Sequence, residues 1–480
     1  MNDNSARNSI VGSMIWKMGE RLLGQGVSFV VSVVLARLLV PDDYGLIALT
    51  TVCLNLANVF IISGFSTALI QKKDADERDF STIFYCSQIC SILLYGVLYL
   101  AAPLVAAFYE RTELIRLLRV FALLLPLSVY NNIQNAYIAR HMQFRKTFTA
   151  SIISSVVSGT VGIVMAYLGF GVWALVVQSM TNSVVNTIVL CFTVPWHPTR
   201  TFCADSAKKM MNYGSRVLLA DLSGTFFSEL RSLIIGRVYT SADLAFYSKG
   251  QQLPTLITTN LSNTIIAVMF PALSNESDNL EQVKQMTKRS MKVLSFTMVP
   301  CMMGLAAVME PLILLLFTDK WAQTIPYGQV LSLSYCIAMF TTLSLQVLKA
   351  IGRSDVVLKL EFIKKPVYVL LLVIGVKINV FAIAFTMLLY DCYGTMVNMS
   401  QLKKYIGYSL REQFRDLMPA FALGIAMAAV VLLIPMFDSL VLTLAVKVLA
   451  GVAVYAGGAA LFKVETFTYL WGILRGMLRR

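Results

Sequence analysis

From about Ile10 to Leu461 the chain repeats one pattern: an apolar run long enough to cross a bilayer, a short polar break, then another apolar run. A spanning helix needs about 20 predominantly apolar residues. About fourteen such stretches are predicted, over residues 10–38, 45–69, 80–108, 114–138, 147–168, 172–194, 214–238, 243–271, 290–317, 325–349, 355–376, 379–401, 416–436 and 439–461. The predicted fold class is an all-α polytopic membrane protein, because a helix satisfies all its backbone hydrogen bonds internally where no water can. Residues 462–480 are amphipathic, with Trp471 and Leu474 set against Arg475, Arg479 and Arg480, and are expected to lie along the cytoplasmic face.

The polar breaks set the expected orientation, since cytoplasmic loops carry the excess of Lys and Arg. One set of loops holds Lys72, Lys73 and Arg78; Arg140, Arg145 and Lys146; Arg200, Lys208 and Lys209; Lys284, Lys288 and Arg289; Arg353; and Lys403, Lys404 and Arg411. The opposite set holds only Arg111, Lys320 and Lys377, with Arg37 and Arg237 at helix ends. Both termini are therefore expected in the cytoplasm, which requires an even number of spans. The polar start, Met1–Asn8, lacks the basic character of a signal peptide, so the first span is expected to be a permanent helix.

A repeat underlies the pattern. Ala36–Gly45 lies 200 residues before Gly236–Ala245, and Gly24/Gly224 and Ser28/Ser228 keep that offset. Six spans fit in the offset, so both copies would insert the same way, as two six-helix lobes about an axis along the membrane normal. The expected organisation is an N-terminal lobe at 1–200, a second lobe at 201–410, two additional spans at 411–461 and the tail at 462–480.

Composition agrees: 57% of residues are hydrophobic and 14% charged, with a mean hydropathy of +0.70. The net charge of +14 would suggest nucleic acid in a soluble protein, but here it reads as basic cytoplasmic loops. The eight Cys show no metal or disulfide spacing, and the two His, His141 and His197, lie far apart. No phosphate loop, H-E-x-x-H or G-x-S-x-G motif occurs, so no enzyme, cofactor or metal is expected. Asp42-Asp43 resembles a metal-binding acidic pair, but a helix cap suits its few-residue loop better.

Candidate chemistry lies in charges within spans, which the bilayer makes costly. Lys17, Glu20, Arg21 and Gly24 share one face of the first span, with two cations against one carboxylate. A net-positive interior favours an anionic group such as a phosphate. The seventh span holds Asp221, Glu229 and Arg231, the eighth Lys249, the eleventh Glu361, Lys364 and Lys365, and the twelfth Asp391. Glu229 and Arg231 are two residues apart and point to different sides. Lys17, Arg21, Arg231 and Lys249 are the candidate substrate-binding cations, and Glu20, Asp221, Glu229 and Asp391 the candidate coupling-ion carboxylates. The bland alternative is that these charges pair between helices and hold the bundle together; for Lys364 and Lys365, snorkelling and a misplaced span boundary are further ones.

Several motifs carry a resemblance. Leu35–Gly45, Met142-Gln143-Phe144-Arg145, Gly169–Leu175, Trp196-His197-Pro198, Tyr213-Gly214-Ser215, Phe246-Tyr247-Ser248-Lys249, Phe270–Ser274 and Ala350-Ile351-Gly352-Arg353 occur in the order found in polysaccharide flippases of the multidrug/oligosaccharidyl-lipid/polysaccharide exporter superfamily. The chain most resembles the Wzx-type group, which includes the colanic-acid exporter. That resemblance implies a V-shaped pair of six-helix lobes with two extra C-terminal helices. It implies as substrate an oligosaccharide repeat unit on undecaprenyl pyrophosphate, moved across the bacterial inner membrane by alternating access. Membrane lipids and other polysaccharide-assembly proteins are the implied partners, and nucleic acid is not among them. A drug/cation antiporter of the same superfamily would suit an acidic cavity, whereas the first span is net basic. A membrane polymerase or glycosyltransferase would call for a large periplasmic loop or a catalytic acidic pair, and neither is present. A purely structural scaffold leaves the buried charges without a use.

Overall fold

The structure, a computed structural model, describes residues 23–62, 76–276, 279–468 and 472. No strand is present among them. The helices are α1 (Gln25–Leu38), α2 (Pro41–Ile61), α3 (Glu77–Tyr109), α4 (Glu113–Phe121), α5 (Leu124–His141), α6 (Phe144–Tyr167), α7 (Val172–Thr193) and α8 (Ala204–Val238). They continue with α9 (Ser241–Asn275), α10 (Leu280–Ala307), α11 (Met309–Phe317), α12 (Thr324–Ala350), α13 (Ser354–Val376), α14 (Val380–Ile406), α15 (Leu410–Leu433) and α16 (Leu440–Leu461). Nine of the described helices are long and apolar enough to cross a membrane. α5, α8, α9 and α13 are not among them, because amides and charges interrupt their apolar runs.

The helix ends follow from local chemistry. Pro41 opens α2 at its first turn, where a missing N–H costs nothing, and the Asp43 carboxylate accepts the Val40 N–H at 3.4 Å. Asp42 and Asp43 also sit at the positive end of the helix dipole, so the acidic pair is the cap that the sequence indicated. The second copy of the motif behaves alike: Thr240 N and Oγ1 donate to Asp243 Oδ2 at 3.1 and 2.7 Å, and Asp243 N donates back to Thr240 Oγ1. Reciprocal caps also start α3 (Asp76 with Asp79) and α15 (Ser409 with Glu412). Gly407, at φ 68°, ends α14 in a conformation that a side chain disfavours.

Two predicted spans are corrected. The stretch at 114–138 is two helices, α4 and α5, broken at Ala122–Leu123, and the stretch at 290–317 is α10 and α11, broken at Val308. The residues directly flanking each break are apolar, so the hydropathy pattern does not mark the interruption. With the breaks in place the order of elements repeats. Among the described residues each half runs from a helix break (38–41 or 238–241) through two long helices to a nine-residue helix, α4 or α11, and then to three more helices. α15 and α16 stand outside the repeat.

The chain forms two compact units, Met1–Ala245 and Phe246–Arg480. α8, which the repeat assigns to the second lobe, packs within the first unit on α2 and α3. In that unit α6 presents Ser154, Ser155, Ser158, Gly159 and Gly162 along one face. These small residues let backbones approach closely, the main source of helix affinity in lipid: a Cβ on Gly159 would lie 2.4 Å from Val31, and one on Gly162 2.7 Å from Gln178. The core of the second unit joins α10, α12 and α14 through Met291, Met298, Met302, Met339, Phe340 and Met399. Flexible thioethers fill the gaps between these irregular helices. α15 and α16 pack on α10 and α11 through Leu423, Met427, Tyr455 and Ala459.

Candidate functional site

Lys17, Glu20 and Arg21 lie outside the described residues. The other candidates divide between the two units.

In the first unit α8 carries Asp221, Glu229 and Arg231. Asp221 is exposed, and Glu229 and Arg231 are half-buried. Glu229 accepts a hydrogen bond from Asn55 Nδ2 of α2 at 2.9 Å. A half-buried carboxylate is thus held by a neutral donor on the neighbouring helix. One end of α2 carries a second polar junction. Arg111 donates to the Asp42 carboxylate and, at 2.8 Å, to Ser241 Oγ, and the Ser241 hydroxyl donates to Asp42. Arg237 pairs with Glu110 at 2.7 Å close by in sequence.

In the second unit Lys249 is buried. Its Nζ is 3.2 Å from Gln252 Oε1 and lies 5.2 and 5.8 Å from the ring centres of Phe317 and Trp321. The ammonium is enclosed by aromatic faces, an attractive arrangement for a desolvated cation. Asp391 of α14 accepts the Ser334 hydroxyl of α12. Lys364 is buried beside Gly394 and pairs with Glu361 at 2.6 Å, so it does not snorkel. One turn of helix separates the two, and pairing inside the bundle costs less than stretching a four-carbon stem to water.

Sequence reasoning passed over the uncharged polar groups. α5 carries Ser128, Tyr130, Asn131, Asn132, Gln134 and Asn135 within eight residues. Ser128 donates to Asn58 of α2 at 3.4 Å, Thr187 of α7 donates to Asn131 at 3.1 Å, and Asn182 of α7 donates to Ser158 of α6 at 3.1 Å. Gln134 donates to Tyr130 and to the Trp196 carbonyl, each at 2.9 Å. Asn132 Nδ2 is buried with no partner among the described residues. The first unit therefore holds a band of amides and hydroxyls across α2, α5, α6 and α7, able both to donate and to accept. The density of Asn and Gln in a nominal span was the available signal, masked by attention to formal charge.

Among the described residues no group of His, Cys, Asp and Glu is placed to hold a metal. The arrangement offers charge and hydrogen bonding inside a membrane bundle, suited to carrying a polar molecule.

Comparison with known proteins agrees. A family model described as "Polysaccharide biosynthesis protein" matches residues 34–326, more than half of the chain. The succinoglycan biosynthesis transport protein ExoT of Rhizobium meliloti (strain 1021) is 24% identical over 331 residues, covering 69% of this chain and 67% of that protein. The lipopolysaccharide biosynthesis protein WzxC of Escherichia coli (strain K12) is 20% identical over 425 residues, covering 88% and 86%. In fold the chain is similar to the lipid II flippase MurJ in an inward closed conformation, with a TM-score of 0.70, 15% identity, and coverage of 95% of this chain and 99% of that one. The chain belongs to the polysaccharide biosynthesis protein family, as a Wzx-type member of the multidrug/oligosaccharidyl-lipid/polysaccharide exporter superfamily.

Proposed function

We propose that the chain is a flippase that moves an undecaprenyl-pyrophosphate-linked oligosaccharide repeat unit from the cytoplasmic to the periplasmic leaflet of a bacterial inner membrane, for assembly of a surface polysaccharide. What carries this is the family match over residues 34–326, which joins the chain to transport and biosynthesis proteins of polysaccharides. The chemistry supports it. Amides and hydroxyls on α2, α5, α6 and α7 suit sugar hydroxyls, which both donate and accept. Lys17, Arg21 and Arg231 are the proposed ligands of the pyrophosphate, where charge-assisted hydrogen bonds count most. Lys249, sealed against Phe317 and Trp321, is assigned to packing instead. Of the candidate coupling carboxylates Glu20, Asp221, Glu229 and Asp391, we favour Glu229, which is half-buried and bound to the neutral Asn55 of the neighbouring helix. Both termini, and the loops bearing Arg140–Lys146 and Lys403–Lys404, belong in the cytoplasm by their charge.

The test is made in the native host. Deleting the gene should abolish the surface glycan and leave lipid-linked repeat units on the inner leaflet, protected from periodate added to intact spheroplasts. The wild-type gene should restore both, and Lys17→Ala with Arg21→Ala should not, at equal membrane abundance. Repeat units that are open to periodate in the deletion strain would refute transport.

A further inference from the structure

A cavity in the second unit is lined by none of the candidate site residues. It is lined by α10, α15 and the turn after α16, and encloses about 600 Å³. Its wall is apolar: Phe296 from α10, Pro419, Leu423 and Ala426 from α15, and Phe462 from the turn. One end is polar, with Lys292, Arg415, Asp416 and Glu465. A second cavity of about 610 Å³ shares Lys292 and Glu465 and adds Lys288 and Arg289. The joined mouth thus holds four cations, Lys288, Arg289, Lys292 and Arg415, against two carboxylates, Asp416 and Glu465.

The carboxylates are committed to the lysines. Lys292 lies 2.7 Å from Glu465 and 3.6 Å from Asp416, and Lys288 lies 3.7 Å from Asp416. Arg415 is exposed and enters no ion pair among the described residues. Pro419 stands four residues beyond it, so the Arg415 carbonyl has lost its intrahelical donor. The same arginine also lines a third cavity on the other side of α15, whose wall of Phe340, Met396, Met399, Met418 and Phe421 is almost wholly apolar.

The dimensions match one leaflet. From Arg415 to Ala426 α15 rises about 16 Å, close to half of a hydrocarbon core of about 30 Å. Phe462 and Met418, which line these grooves, are largely exposed, as lipid-facing side chains are. An apolar channel one leaflet deep, capped by a net-positive mouth, has the charge and shape of an anionic phospholipid. Basic pockets between helices at the cytoplasmic membrane surface bind such headgroups.

We propose that the groove between α10 and α15 is a binding site for an anionic glycerophospholipid, with its phosphate on Arg415 beside Lys292 and an acyl chain along Phe296, Pro419, Leu423 and Ala426. Glu465 then competes with the phosphate for Lys292. The bound lipid would hold the two additional C-terminal helices to α10.

The probe is dioleoylphosphatidylglycerol, compared with dioleoylphosphatidylcholine, titrated into the purified full-length chain and read by native mass spectrometry. The anionic lipid should bind about tenfold more tightly than the zwitterionic one, the worth of one charge-assisted bond. Arg415→Gln should bring the two lipids to within about twofold of each other, and Glu465→Gln should raise phosphatidylglycerol occupancy about threefold by freeing Lys292. Ala426→Trp should weaken both lipids while the protein still elutes as the wild type does, since that residue faces the groove and not the core. Equal binding of the two lipids, a preference that survives Arg415→Gln, or weaker binding in Glu465→Gln would overturn the site. So would phosphatidylglycerol binding that appears only when the chain is ended after residue 468, which would give the groove to the protein's own C-terminal segment. Undecaprenyl phosphate that displaces phosphatidylglycerol at equal concentration would make the groove part of the substrate path and would also overturn it.

Discussion

Gly45 on α2 is where the two copies of the repeated motif press together, and replacing it by alanine tests the packing directly. A Cβ at residue 45 would stand 1.9 Å from the Ser241 carbonyl oxygen, 2.4 Å from its carbon and 2.8 Å from its Cα. All three are backbone atoms, so no rotamer change relieves the clash. Moving the oxygen to 3.4 Å, where ordinary contact begins, shifts the start of α9 about 1.5 Å away from α2. Overpacking of this kind costs ~1–3 kcal/mol. The shift also pulls Ser241 from Asp42 and from Arg111, which lies at 2.8 Å; one such hydrogen bond adds ~1 kcal/mol. The Asp42–Arg111 pair is partly open to solvent, so its own contribution stays within ~1 kcal/mol. Gly45→Ala should therefore lose ~2–4 kcal/mol. Gly236→Ala is the control. Its Cβ would meet the Leu49 Cδ2 methyl at 2.2 Å, an end group that can swing aside, so the loss should stay below ~1.5 kcal/mol. Equilibrium unfolding in mixed detergent, titrated with dodecyl sulfate and followed by circular dichroism, measures both. A Gly45→Ala protein as stable as wild type, or less affected than Gly236→Ala, would show that α2 and the start of α9 do not pack this closely.

Three further outcomes follow from the same structure. Glu361→Ala strands the buried Lys364 and, with Glu361 itself partly exposed, should cost ~1–3 kcal/mol, whereas Glu361→Leu with Lys364→Met should be near neutral, both read by the same unfolding assay. Lys292 holds the Glu465 carboxyl below the usual carboxylate range through a direct hydrogen bond, so the clamp between α10 and the turn after α16 is complete above about pH 4.5 and is lost as acid carries Glu465 through its lowered pKa. A spin label at Thr466→Cys should keep its mobility from pH 8 to pH 5 and loosen only below that; loosening at neutral pH would contradict the clamp. Ser206→Cys, at the start of α8 near the basic Lys208 and Lys209 assigned to the cytoplasm, should resist a membrane-impermeant maleimide in intact cells, and strong labelling would reverse the topology.

The alternation of apolar runs and basic breaks determined that the chain is a helical membrane protein, because the bilayer lets no other open-chain backbone satisfy its hydrogen bonds. The 200-residue offset and the Pro41-Asp42-Asp43 cap were legible too, since capping depends on neighbours three residues away. The breaks at Ala122–Leu123 and Val308 were not, because the residues flanking each break are apolar and a hydropathy pattern does not mark an interruption among them. Neither was the fate of individual charges. Lys249 and Lys364 look equivalent as lysines inside spans, yet one ends among aromatic rings and the other on a carboxylate a turn away. The bond from Asn55 to Glu229 joins residues 174 apart, and the groove at Arg415 needs α10, α15 and the turn after α16 side by side. Such contacts depend on which helix faces lie against one another. In lipid that choice is made by close packing of small residues such as Gly45, Gly159 and Gly162, and only the tertiary structure displays it.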